Sequence, residues 1–393
     1  MKKSLNVIYR PRDMLVGNLI QHGNEIMFNY SGEFMDSGLN LSPFKLKFAP
    51  GLQRSDARFR QYLHGVFDDS LPDGWGVLLM DKELRRIGMR DTISPLDRLA
   101  FIGDNAMGAL SYQPSIDHKD NNRELFDICK IAEDSIRFFD GETDDILPIL
   151  ARAGGSPGGA RPKALIGLKG DKIISGESSL PEGYEPWLIK FAAKKEAATA
   201  GYMEYAHYRM AIDAGLKMME SRLFDVDGVQ YFGTKRFDRI GNKRVHFHTV
   251  GNLVDANFRE PALDYEALLR ITRVLTRNRK DELMMFRLMV FNVAIENRDD
   301  HAKNFSFLMD DNGTWRMAPA YDLTRSVHLR EHSTSVAGKG RDITRADMLA
   351  VASESGISLS DAHEIMDQVL DVVSASEKYE PNSTEYSFEP RMP

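Results

Sequence analysis

The sequence predicts an α+β chain: a β-rich N-terminal portion, a second strand-bearing segment and a mostly helical C-terminal part. Three observations predict it. Strand-like runs punctuated by glycine fill residues 5 to about 50. Short apolar runs with a hairpin signal return between residues 164 and 237. After about residue 260 the apolar spacing becomes that of helices, clearest over Asp264 to Leu275, Asp281 to Glu296 and Leu359 to Val373.

Taken in order, Leu5 to Tyr9 begins a strand and Met14 to Ile20 a second, with Gly17 marking a bulge. Glu25 to Tyr30 alternates as a half-buried strand between the turn residues Gly23 and Gly32. The phrase Phe67 to Gly76 precedes a helix running to Arg86, which Asp73 is placed to cap. Ala109 to Tyr112 reads as another strand. The polar stretch Ser115 to Asn122 is the expected linker, and residues 123–152 read as helical.

A glycine-rich interruption, Gly154 to Lys163, leads into apolar Ala164 to Leu168, and strand-like Trp187 to Phe191 follows. Ala197 to Ala214 reads as a helix carrying Glu204, with Gly215 as its C-terminal stop. Asp227-Gly228 between two apolar runs signals a hairpin. The helix Asp281 to Glu296 is apolar almost all round, so burial is expected. Ser358 and Asp361 resemble a capping box ahead of the last helix. The tail from Lys378 mixes charges with Pro, Ser, Thr and Asn and is expected to fray.

The chain has 393 residues, 42% hydrophobic and 28% charged, the balance of a soluble globular protein. A net charge of -7 does not advertise nucleic-acid binding by the chain as a whole, although a basic patch or basic partner could still contact DNA. A single cysteine, Cys129, excludes an intramolecular disulfide and suits a reducing cytoplasm. The N-terminal residues lack the apolar core of a signal peptide. No apolar run reaches the roughly 18 residues of a membrane span, so a cytoplasmic protein with no membrane association is expected.

The densest chemistry is Asn297-Arg298-Asp299-Asp300-His301-Ala302-Lys303-Asn304, at the end of the apolar run Leu283 to Ile295. Asp299 and Asn304 have the D-x-x-x-x-N spacing of a protein-kinase catalytic loop, in which the aspartate takes a hydroxyl proton and the asparagine binds a metal ion. Asp322, further on, fits the metal-binding carboxylate. Magnesium accepts such a sparse set of hard oxygen ligands because phosphates and waters complete it. Lys190 ends an apolar strand, and Glu204 lies on the following helix, as a phosphate-contacting lysine and its glutamate would. The glycines around Ser156, with Arg161 and Lys163 after them, suit either an anion-wrapping loop or a flexible turn.

Other chemistries fit less well. The pairs His246/His248 and His328/His332 have no third ligand. Gly154 to Gly158 matches a G-x-S-x-G elbow, but Pro157 has no N–H to offer an oxyanion.

Three motifs in order, Gly154 to Lys163, Asn297 to Ser306 and Ala318 to Leu323, resemble the HipA family, serine/threonine kinase toxins of bacterial type II toxin–antitoxin systems. The similarity covers roughly residues 5 to 370 and includes the Phe67 to Gly76 phrase. It implies a two-lobed protein-kinase-like fold with an extra N-terminal β-rich subdomain (1–115), a kinase N-lobe (116–258), a helical C-lobe (259–377) and a flexible tail (378–393).

By the same resemblance, Asp299 is the catalytic base, and Asn304 and Asp322 bind Mg2+. Lys190 contacts the ATP phosphates, and His301 and Tyr321 belong to the nucleotide site. Gly158, Gly159, Ala160, Arg161, Pro162 and Lys163 form the phosphate-binding loop. Lys235, Arg236 and Phe237 match the stretch that touches adenine, although Lys235 stands where some members carry an acid. Ser156 matches an autophosphorylated serine that switches activity off. The implied partners are a small helix-turn-helix antitoxin (HipB-like), operator DNA reached through it, and a protein substrate, an aminoacyl-tRNA synthetase in some members. A catalytically weak co-repressor and a small-molecule or lipid kinase are the competing readings.

Overall fold

The computed structural model describes residues 3–89, 92–116, 128–139, 141, 161–176, 179–192, 199–226, 228–257, 263–326 and 328–379. Gly154 to Ala160 of the glycine-rich stretch, Ser156 among them, lie outside the described residues, as do Asp117 to Asn122 of the expected linker.

Strands β1 (Ser4–Tyr9), β2 (Met14–His22) and β3 (Glu25–Tyr30) form an antiparallel meander. Its register slips where Val7 faces Gly17 but Ile8 faces Leu15, which puts the irregularity at the expected glycine. A Cβ on Gly17 would lie 2.1 Å from the Asn29 carbonyl oxygen, so only glycine fits. Helix α1 (Gly32–Asp36), β4 (Gln53–Arg54), α2 (Gly65–Asp68), α3 (Gly74–Arg86), α4 (Pro95–Ile102) and β5 (Leu110–Gln113) complete this module. Its sheet order is β4-β3-β2-β1-β5. Asp73 occupies the N-cap position of α3, but its side chain makes no cap. It reaches Lys303 instead, because a nearby buried ammonium competes better for a carboxylate than a backbone N–H does.

Helix α5 (Ile128–Phe139) is the described part of the stretch expected to be helical. It packs on a second antiparallel sheet made of β6 (Lys163–Lys169), β7 (Lys172–Ser175), β8 (Glu185–Lys190) and the β9–β10 hairpin (Ser221–Val226, Val229–Lys235), in the order β7-β6-β8-β10-β9. Helix α6 (Ala200–Asp213) lies between β8 and β9. It stops at Gly215, in the left-handed region, with Leu216 N–H donating to Ala211 O and Gly215 N–H to Ile212 O. One face of the sheet joins Ile131 and Ala132 of α5 in a small core with Ile166, Trp187 and Ile189. The opposite face aligns Lys163, Lys190 and Phe232 across three neighbouring strands.

The chain then leaves this sheet through the β11–β12 hairpin (Arg239–Ile240, Lys243–Arg244) to β13 (His246–Thr249) and α7 (Val250–Leu253). The next elements are β14 (Leu263–Asp264), α8 (Tyr265–Thr276), α9 (Arg279–Ala294), β15 (Ser306–Met309), β16 (Trp315–Met317), β17 (Thr334–Ser335), α10 (Arg345–Glu354) and α11 (Leu359–Ser374). Helix α9 is buried through its middle and end, as its apolar circumference predicts. Ser358 accepts from Asp361 N–H, one half of the anticipated capping box.

His246 and His248 alternate as on a strand, but the sheet β13-β15-β16, whose strands β15 and β16 lie in the part expected to be helical, was not anticipated. Its strands have four, four and three residues, too short to leave a periodic signal. A single large apolar core joins the first sheet (Val7, Leu19, Phe28, Tyr112) to the helices (Leu269, Met289, Phe291, Val369). The first module therefore packs on the C-terminal helices, and the second sheet has its own core. Together they make an α+β, two-lobed, protein-kinase-like fold with an extra N-terminal β-rich subdomain. Among the described residues no helix is long and apolar enough to cross a membrane.

Candidate active site

The loop that follows α9 is held from below by buried polar bonds. Asp300, fully buried, accepts from Tyr265 OH (2.8 Å), His332 Nδ1 (3.0 Å), Ser333 N (2.9 Å) and Thr334 N (3.2 Å). Four donors on one buried carboxylate leave the loop little freedom. Its neighbour Asp299 is thereby left on the upper side, where it faces other charges. Asn304 Nδ2 donates to the Asp299 carbonyl at 2.7 Å, which closes the loop and leaves Oδ1 as the oxygen Asn304 can offer. The Lys303 N–H donates to His301 Nδ1 at 3.2 Å, so the imidazole presents Nε2 away from the turn.

Asp322 is set above this loop by the Ala320 N–H bond to Lys217 O (2.8 Å) and by the Tyr321 hydroxyl, which donates to Lys303 O at 2.7 Å. Its backbone is left-handed, with φ +57°, a conformation that aspartate and asparagine tolerate better than other side chains. Lys190, at the end of β8, points from the second sheet and donates to Asp322 Oδ1 at 2.7 Å and to Glu204 Oε1 on α6. The strand, the helix and the loop after β16 thus converge on one ammonium. Lys163 lies beside Lys190 on β6.

The electrostatics follow from this crowding. Lys190 holds the Asp322 carboxyl well below its ordinary range, against the effect of burial. Burial opposes the Lys190 charge, but Asp322 and Glu204 outweigh it and raise its pKa. Burial raises Glu204. Burial and the neighbouring Lys190 push Lys163 down to about 8. Asp299 is pushed up by burial, with Asp322 and Asp300 adding to the effect and His301 opposing it.

The expected site residues divide. Lys163, Lys190, Asp299, His301, Asn304 and Asp322 come together, and the rings of Phe237 and Tyr321 lie 5.4 Å apart at their edge. Arg161 reaches Asp299 and Glu204 electrostatically, and Pro162 O accepts from Phe191 N–H. Two side chains of the expected adenine stretch are committed elsewhere. Lys235 pairs with Glu185 (2.8 Å) and Glu220 (2.7 Å), and the Arg236 guanidinium is buried against Asp238 and the Met107 sulfur. Only Phe237 of the three turns toward Tyr321.

Sequence reasoning gave Asp68 no role and Asp73 only that of a helix cap, and connected neither with Lys303, whose ammonium their carboxylates surround. The acid-rich spacing of Phe67 to Gly76 was the available signal. It also missed a Ser-His-Asp alignment: Ser42 Oγ lies 3.0 Å from His248 Nε2, and His248 Nδ1 lies 2.5 Å from Asp69. All three are buried, at 2%, 0% and 6% exposure, so no substrate reaches them. The array ties the first module to β13, and the plain structural reading of His246 and His248 stands.

The hard oxygens of Asn304 and Asp322 suit magnesium. Among the described residues no cluster of three or more His, Cys, Asp or Glu side chains forms a richer metal site.

Comparison with known proteins places the chain in a family. The HipA N-terminal domain profile matches residues 5–113, and the HipA-like C-terminal domain profile matches residues 155–376. Among curated proteins of Sinorhizobium fredii (strain NBRC 101917 / NGR234), "Putative kinase Y4mE" is 38% identical over 95 residues, 23% of this chain and 22% of that protein. "Putative kinase Y4dM" is 25% identical over 228 residues, 54% of each. The chain thus spans about a fifth and about half of the lengths of these relatives. HipA in the Shewanella oneidensis MR-1 complex of HipA, HipB and operator DNA shares the fold, with a TM-score of 0.73 at 15% identity, over 97% of this chain and 92% of that one. With more than half of its length matched by the C-terminal profile alone, the chain belongs to the HipA family.

Proposed function

We propose that the protein is an ATP- and Mg2+-dependent serine/threonine protein kinase and the toxin of a type II toxin–antitoxin module. It would act in the cytoplasm by phosphorylating a cellular protein. The observation that carries this reading is the meeting of Lys190, Glu204 and Asp322, which supplies a phosphate-directed cation and a metal-directed carboxylate beside Asp299. The membership of the family and the names of the two curated relatives support it.

The residues divide the work. Lys190, held by Glu204, and Lys163 face the ATP phosphates as fixed positive charges, which cost no reorganisation during transfer. Asp299, raised by burial, accepts the proton of the acceptor hydroxyl. Asn304 and Asp322 would hold Mg2+, which neutralises phosphate charge when bound. His301 borders the nucleotide, and the Phe237–Tyr321 ring pair lies on its adenine side. By the family motif, Gly158 to Lys163 are assigned to the ATP phosphates. Phosphorylation of Ser156, the serine the family motif marks, would add nearly two negative charges and oppose ATP binding. A HipB-like helix-turn-helix antitoxin would neutralise the toxin and link it to operator DNA, as the complex of the Shewanella protein suggests.

Incubation of purified protein with radiolabelled ATP, Mg2+ and cell lysate tests the reading. Label should enter a protein band with the wild type and not with Asp299→Asn. Equal labelling by both proteins would refute the assignment of Asp299, and labelling of lipid or small molecules alone would move the protein to another kinase class.

A further inference from the structure

Lys303 lies one residue before Asn304, in the single turn Ala302–Asn304, and its backbone is held on both sides by His301 and Tyr321. Its side chain runs away from this turn into the first module. There Nζ sits 3.2 Å from both oxygens of Asp73 and 3.4 Å from Asp68 Oδ2. The ammonium is mostly buried, with 11% of the side chain exposed. Burial opposes its charge, but Asp68, Asp73 and Asp69 outweigh it.

The acidic turn that receives Lys303 is itself fixed. Asp69 accepts from Thr249 N (2.9 Å), Thr249 Oγ1 (2.7 Å) and Asn252 Nδ2 (2.7 Å). Gly65, at the start of α2, is so close to α7 that a Cβ would lie 1.9 Å from the Asn252 carbonyl oxygen. On the other side of α7, a Cβ on Gly251 would lie 3.2 Å from the Ala302 methyl. The first module, α7 and the catalytic turn are therefore stacked with little room between them. The same acidic turn also touches the other lobe, because Trp75 Nε1 donates to Lys163 O at 3.2 Å.

We infer that Lys303 is a positioning residue, and that Asp68 and Asp73 of the N-terminal module hold it so that the catalytic turn presents His301 and Asn304 correctly. The first module is then part of the working site and not only a platform for partners. Supporting groups of this kind change activity or metal affinity by roughly 10–100-fold when removed. The inference rests on the kinase reading above.

The test uses the full chain with Asp68→Asn/Asp73→Asn, Lys303→Met and Lys303→Arg. Initial rates of label transfer from ATP to lysate protein are measured against ATP and against Mg2+, alongside melting temperature and metal-free binding of a fluorescent ADP analogue. The expected result is a fall in kcat of about 10-fold or more and a raised Mg2+ requirement for the double variant and for Lys303→Met. KM for ATP and metal-free ADP binding should stay within about twofold of the wild type, and Lys303→Arg should recover most of the loss. If the double variant does not fold, Asp73→Asn reads the same quantities.

Wild-type kcat and Mg2+ dependence in variants that merely melt earlier would overturn the positioning role and leave the kinase reading standing. A wild type that transfers no phosphate would overturn both.

Discussion

Lys190 Nζ and Asp322 Oδ1 meet at 2.7 Å across 132 positions of sequence. The contact joins the second sheet to the segment after β16 and leaves Asp322 in a left-handed backbone conformation. Neither residue could hold this arrangement alone. The lysine is shared with Glu204, and the aspartate depends on Ala320 bonding back to Lys217.

Asp322→Asn should separate charge from shape. Asparagine accepts the left-handed conformation as readily as aspartate, so the backbone is kept while the carboxylate is lost. Phosphotransfer is expected to fall by about 10²-fold or more, the usual consequence of removing one fixed charge-stabilising group. The melting temperature should fall, because Lys190 loses one of its two carboxylate partners, but by less than with Lys190→Met, since Glu204 stays paired. Lys190→Met should lose phosphotransfer and stability together, because it strands the buried Glu204 carboxylate at a cost of about 1–3 kcal/mol. Labelled-phosphate assays and thermal unfolding of both variants check this, and an Asp322→Asn protein as active as the wild type would contradict it.

Lys163 gives the site a pH dependence whose sign can be worked out. Its folded pKa, about 8, lies below the ordinary lysine value of 10.5. Between those two values the unfolded chain holds the extra proton, so this residue's contribution makes stability rise with pH in that window. In the proposed role of Lys163 at the nucleotide phosphates, their binding should follow the opposite course, because the positive charge on Lys163 is lost as pH rises through about 8. ADP affinity measured by calorimetry at pH 7, 8 and 9 should therefore fall with pH in the wild type. Lys163→Arg, which keeps its charge throughout, should show a flatter profile. Equal slopes for the two proteins would remove Lys163 from the phosphate site.

The parts of the site that could be read in the sequence are those where function packs many polar groups into a short span. Eight residues from Asn297 to Asn304 hold the proposed base, a carboxamide and an imidazole, and the spacing of Asp299 and Asn304 is what points to the roles proposed for them. Lys190 and Glu204 were readable for a similar reason, since a lysine ending an apolar strand gains little from solvent. What escaped was long-range. Nothing near Lys303 points to Asp68 or Asp73, which lie 235 and 230 positions earlier. Asp73 looked like a helix cap because capping is local and frequent, and only the fold supplies the cation that competes for it. The sheet β13-β15-β16 escaped because β13 pairs with a strand almost sixty positions later. Lys235 and Arg236 were carried into the adenine site by motif alone, and the fold uses their charges for ion pairs.

The Arg236 case leads to a last expectation, about what holds the exit from the second sheet. Asp238 is fully buried and accepts from Arg236 Nε (2.9 Å), Arg236 Nη2 (2.8 Å), Arg239 Nη1 (2.6 Å) and Gly108 N (2.7 Å). Arg244, also buried, donates to the carbonyls of Asp104, Ala106, Gly108 and Leu110. Two guanidiniums thus share one carboxylate, and backbone oxygens of the first module satisfy the third, that of Arg244. Asp238→Asn removes the only carboxylate that these contacts share and turns an amide donor toward donors. It should cost about 3–5 kcal/mol, the usual result of breaking a buried ion pair by removing one partner. Burial opposes the Asp238 charge, but Arg236 and Arg239 outweigh it and hold its pKa below the ordinary range. A depressed carboxyl contributes its stability above the unfolded value of about 3.9 and loses it only as pH falls through the lower folded value. The difference between wild type and Asp238→Asn in urea unfolding should therefore be the same at pH 7 and pH 5. A difference that shrank over that interval would show that the carboxylate is not held in this way.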